Sequence, residues 1–123
     1  MSTLTDETVW DTAALAPYAD TDTVKAAREV QDIAQGIVEQ VDANPANART
    51  DFNTQRHNLD DALRRTKAAH YHEYQTPQRD LFTFGEQDAP EAKAKCDALH
   101  EALSLAETYA DTATTYATAN LEG

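Results

Sequence analysis

Apolar residues recur along this chain at spacings of three and four, the period of helices with one buried face. The pattern is clearest in the stretch Thr50–Tyr74, TDFNTQRHNLDDALRRTKAAHYHEY. There Phe52, Leu59, Ala62, Leu63, Thr66, Ala69 and His70 share one side, predicting a central helix about 37 Å long. Before it, Val24, Ala27, Val30, Ala34, Ile37, Val38 and Val41 mark a helix that ends near Asp42. Its start signal is YADTDT, with Asp20 or Thr21 as cap and Asp22 in the first turn. Gly36 costs that helix about 1 kcal/mol relative to Ala, so a close helix crossing is expected there. A shorter first helix is predicted to open at Thr5, bury Val9, Trp10, Ala13 and Ala14, and stop at Pro17.

The breaks between these elements are equally plain. DANPANART reads as a turn, with Asn44–Pro45 ending one helix and Asn47 or Thr50 capping the next. Thr76–Pro77 is expected to end the central helix. Beyond it Phe82 and Phe84 alternate with Leu81 and Thr83, predicting a short strand or an extended loop at about 78–88, turned by Gly85. Asp88, Pro90 and Glu91 then open a last helix that runs to about Asn120. It carries two apolar stripes: Ala92, Cys96, Leu99, Leu103, Ala106, Ala110, Ala113 and Ala117, and beside them Ala98, Ala102, Leu105, Tyr109 and Tyr116. So wide a face predicts two neighbours, and its Ala- and Thr-rich far end buries little area per residue. Another subunit is therefore expected to complete it, with Leu99, Leu103, Tyr109 and Tyr116 as the oligomer interface. The whole reads as all-α: a helical bundle of one short and three long helices in a single domain, 1–123.

Charge adds a habitat to this fold. Asp and Glu number 22 against 10 Lys and Arg, a net charge of −12, and only four of the ten cations are lysine. A folded protein this acidic repels itself in dilute buffer and is best served by molar salt, where the Debye length is about 3 Å. Together with the abundant Ala and Thr, this is the style of a salt-in halophile. The segment 49–79 runs against the trend. Arg49, Arg56, Arg64, Arg65, Lys67 and Arg79 face only Asp51, Asp60, Asp61 and Glu73, which makes it +2 and leaves −14 elsewhere. These cations either pair with acidic neighbouring helices or with Asp60 and Asp61, or they meet an acidic partner surface or nucleic acid; molar salt weakens simple phosphate attraction.

Candidate chemistry is sparse. No apolar run approaches the ~18 residues of a membrane span, and the acidic N-terminal stretch MSTLTDETVW is unlike a secretory signal. The expected location is thus the cytoplasm or a particle assembled there. Phosphate-binding loops and nucleophile motifs are missing, so neither an enzyme nor a cofactor is expected. A metal would need Cys96 and His100 on one helix with His70 and Glu73 on another, a weak pattern because Cys96 lies on a core stripe. Partner contacts are expected instead from Trp10, Arg64, Arg65, Arg79, Leu81, Phe82 and Phe84, the single Trp and the Phe pair being candidate anchors.

The stretches YADTDTVKAAREVQDIAQGIVEQV and NLDDALRRTKAAHYHEY resemble the helical head–tail adaptor, or connector, proteins of tailed viruses, over roughly residues 7–74. The resemblance implies a virion structural protein of a haloarchaeal virus. It would form a homo-oligomeric ring between portal and tail proteins, with DNA passing through the lumen. The competing expectation is a cytoplasmic haloarchaeal adaptor or regulator that dimerises through its last helix.

Overall fold

A computed structural model describes residues 15–121. The protein is all-α, with no strand among the described residues. A 3-10 turn, Ala16–Tyr18, leads into α1 (Asp22–Ala43), α2 (Pro45–Phe84) and α3 (Pro90–Leu121), each packed on the other two. The predicted first helix falls almost wholly outside the described residues, as does Trp10. Among the described residues, no helix is long and apolar enough to cross a membrane.

α1 follows its sequence signals closely. Thr21 Oγ accepts from the Val24 amide at 3.3 Å and donates to the Tyr18 carbonyl at 2.7 Å, fixing the entry to the helix. All seven predicted stripe residues are buried, joined by Thr23. Gly36 differs from expectation. It is exposed, and a Cβ built on it meets nothing within 4 Å, so no helix crosses there.

The α1–α2 connection is tighter than predicted. Asn44 alone separates the helices, and its side chain accepts from the Asn47 amide while Pro45 takes the first position of α2. Pro fits there because the first-turn amides lack partners anyway. What reads as a nine-residue turn is thus one capping residue followed by helix.

The other end of α2 departs further. Pro77 does not stop the helix, which continues to Phe84 and reaches 40 residues, about 60 Å. An interior Pro removes one backbone hydrogen bond and costs about 3 kcal/mol in helix propensity. Here the ring is buried beside the start of α3, and the antiparallel partner holds the segment helical. The extended loop expected at about 78–88 shrinks to residues 85–89, with Leu81, Phe82 and Phe84 on the last turns of a helix.

The core is built from Leu15, the α1 stripe, Leu59 and Ala62 of α2, and the Ala-rich face of α3. Residues of both α3 stripes are buried within the chain, and α3 packs on both α1 and α2. The far end that looked too thin is closed by Ala110, Ala113, Ala117 and Leu121, packed in one core with Ile37, Val38 and Val41. Small residues let the backbones approach, and β-branched residues of α1 fill the gap. Leu99 and Tyr109, expected at an oligomer interface, are fully buried inside the subunit, while Leu103 and Tyr116 are half-buried. Tyr109 also accepts a hydrogen bond from Gln31 Nε2 at 3.3 Å, and the Tyr116 hydroxyl bonds Asp42.

Candidate interaction surface

The helices differ in length, and this places the candidate site. α1 begins beside Glu73, so residues 74–84 of α2, about 16 Å of helix, run on past its start together with the opening turns of α3. Between Pro77 and Cys96 no residue is buried. The α2–α3 hairpin thus ends in a tip with helical backbone but no core of its own. Gly85 makes the turn possible: its φ of 82° and ψ of 163° lie in a region that suits only glycine. Its amide closes α2 on the Leu81 carbonyl at 2.8 Å, and its carbonyl accepts from Ala89 at 3.0 Å.

Phe82 is 94% exposed and Phe84 59% exposed, an unusual pair for a helix end. Phe84 lines an open cleft of about 360 Å³ with Asp80, Asp88 and Glu91. A smaller cleft of about 190 Å³ continues past Asp80 and Glu91 to Pro77 and Lys95. From Asp80 to Ala92 there are four carboxylates and no cation; the flanking cations are Arg79 and Lys93, the latter tied to Asp97 at 2.8 Å. The tip is therefore apolar and acidic together. Leu81 is half-buried, so it serves the hairpin more than its surface.

The cations of residues 49–79 divide. Arg49 donates twice to the Leu121 carbonyl, at 2.8 and 3.1 Å, answering the unpaired carbonyls at the end of α3. Arg65 grips Glu29 with both terminal nitrogens at 2.8 and 2.9 Å and also reaches Asp61, while Arg64 pairs with Asp61. The Arg64 guanidinium, above all, holds the Asp61 carboxyl below its ordinary range. These pairs are exposed and screened by solvent, so they orient more than they stabilise. Among the described residues, no carboxylate pairs with Arg56, Lys67 or Arg79.

At the root of the tip, aromatic and titratable groups meet. His70 stacks on Tyr74 with ring centres 4.8 Å apart, and both face His100, at 5.5 and 6.0 Å. Tyr74 also contacts the buried Cys96 thiol, which burial pushes up. His70 Nε2 is buried without a hydrogen-bond partner. Burial lowers the His70 pKa, and His100 lowers it further, against a smaller pull from Glu73. The four residues weighed as metal ligands do not converge: Glu73 turns away to α1. Among the described residues no group of three or more His, Cys, Asp or Glu side chains is placed to hold a metal.

Glu73, weighed from the sequence only as a metal ligand, has a role that the sequence did not suggest. Its carboxylate accepts from the Asp22 amide at 2.8 Å, the Thr23 amide at 2.7 Å and the Thr23 hydroxyl at 2.6 Å. It caps α1 from a different helix. Burial raises its pKa, but these hydrogen bonds and the charge of Lys95 outweigh that and leave it below the usual value. No local signal marks such a contact. An acidic residue within an aromatic, His-rich segment is the faint hint.

Comparison with protein-family models, curated proteins and solved structures returns no match for this chain.

Proposed function

We propose that this chain is a structural adaptor, and that its setting is the head–tail connector of a tailed virus with a halophilic host. It would act there as one subunit of a ring between portal and tail. The observation that carries the reading is the hairpin tip: two exposed phenylalanines held on helix, beyond any core that could use them. Burying a Phe side chain contributes about 1.5–3 kcal/mol, so two on one tip suit the centre of a protein–protein contact. Dimerisation through the last helix is the weaker setting, because Leu99 and Tyr109 already serve the subunit's own core. The exposed acids along all three helices, among them Asp32, Glu39, Asp60 and Glu107, support the salt-rich habitat.

Electron microscopy of the purified protein in about 2 M KCl, where self-repulsion is screened, tests this reading. Closed rings are expected. A uniform population of dimers overturns the connector reading. Helicity by circular dichroism should also fall on dialysis to roughly 50 mM salt, where charges interact over more than ~10 Å; unchanged helicity there removes the halophilic host.

A further inference from the structure

A ring needs two unlike surfaces per subunit, one to offer and one to receive. The tip supplies the first. The second lies on the solvent side of α2, where Arg64, Lys67, Tyr71, Gln75, Gln78 and Phe82 follow at spacings of three and four and are all exposed. On a helix this spacing makes one straight ridge, about 27 Å long. Tyr71 is 67% exposed at its middle. Beside it Lys67 has no paired carboxylate among the described residues, nor does Arg56 three turns earlier. The tip has the opposite character, with Asp88 and Glu91 exposed around Phe84, while the nearest following cation, Lys93, is held by Asp97.

We propose that the tip of one copy docks on the α2 ridge of a second copy, Phe84 against Tyr71 and the Asp88–Glu91 pair against Lys67. The proposal deepens the ring reading and rests on it. The occupant is argued from charge: in a chain of net charge −12, an acidic apolar tip finds its complement on α2, whose segment 49–79 carries a local charge of +2 and holds Lys67, unpaired among the described residues. Salt favours this pairing over general repulsion. At a Debye length of about 3 Å two acidic copies no longer repel at a distance, while groups in direct contact still attract. The docking groups are different patches, Lys67 and Tyr71 on the ridge and Phe84, Asp88 and Glu91 at the tip, with Tyr71 about 20 Å from Phe84 along the helix. Each copy therefore uses both, and the contact propagates head to tail until it closes.

Charge reversal tests the contact. Light scattering in about 2 M KCl is measured on the wild type, on Lys67→Glu, on the double variant Asp88→Lys/Glu91→Lys, and on a 1:1 mixture of the variants. The wild type should assemble beyond a dimer. Each variant alone should associate about tenfold more weakly or less, because like charges then face each other. The mixture should again assemble beyond a dimer, since each variant's tip finds a ridge of opposite sign on the other, and a folding defect could not be rescued in this way. Assemblies whose mass neither reversal changes would overturn this contact yet leave the ring standing. A monomeric wild type would overturn both.

Discussion

Below Glu73, each helix of the bundle has two neighbours; beyond it, α2 and α3 continue with no buried residue between Pro77 and Cys96. The same two helices are thus held in two ways. In the body, apolar contact does the holding: Val30, Leu59, Ala106 and Tyr109 are all fully buried. Towards the tip, helix is inherited by propagation from the body, since adding a residue to an existing helix is far easier than starting one. A segment held by continuity leaves its side chains uncommitted, which is why Phe82 and Phe84 can face solvent without loss of structure.

That contrast can be broken from either side. The largest effect belongs to the body: Leu59→Ala should lose about 2–5 kcal/mol by urea denaturation, because its neighbours are closed on all sides. A change under 1 kcal/mol would mean that the core is loose there. Next comes the boundary. Glu73→Ala, which strips three hydrogen bonds from the start of α1, should cost about 2 kcal/mol at neutral pH. The pH dependence of that loss has a fixed sign. Because the folded pKa of Glu73 lies below its ordinary 4.5, the contribution is whole above about 4.5 and fades as pH falls through the lower folded value.

His70 shifts stability in a higher window. Its folded pKa is depressed below the ordinary 6.5, so on acidification the unfolded chain takes up the proton first and stability declines from about pH 6.5 downward. His70→Gln should flatten the thermal-stability profile in that range while leaving the Glu73 decline intact. A smaller change of opposite sign is expected at the exposed face of α1. Gly36→Ala should stabilise by about 0.5–1 kcal/mol, since the new methyl meets nothing and the unfolded chain loses freedom. The smallest effect belongs to the tip: Phe82→Ser with Phe84→Ser should leave the denaturation midpoint within about 0.5 kcal/mol of wild type. A large loss there would mean that the rings are part of the core.

The buried stripes were legible because a single face repeats at helical period, and every α1 position from Val24 to Val41 took its predicted place. Pro77 misled for a physical reason: its propensity penalty is local, whereas the α3 partner that offsets it lies beyond the turn. The weak-looking Ala end of α3 misled similarly, because how well an alanine packs depends on what surrounds it, here a core shared with Ile37, Val38 and Val41. Of the candidate surface, the phenylalanines were visible as anomalies and the excess of cations as a count. Which arginines are engaged was not visible, because Arg49–Leu121 and Arg65–Glu29 join residues far apart in sequence. Glu73 was hidden for the same reason.

The one-residue joint at Asn44 has a consequence for the order in which the molecule assembles. With no loop to close, α1 and α2 can zip from their shared corner, each turn bringing the next into reach at little further entropic cost. The Asp22–Glu73 contact, 51 residues apart in sequence, is the far end of that zipper. It is expected to close last on folding and to open first on fraying. Amide exchange should therefore run fastest at the start of α1 and slow steadily towards the middle of the pair, a gradient set by a single asparagine.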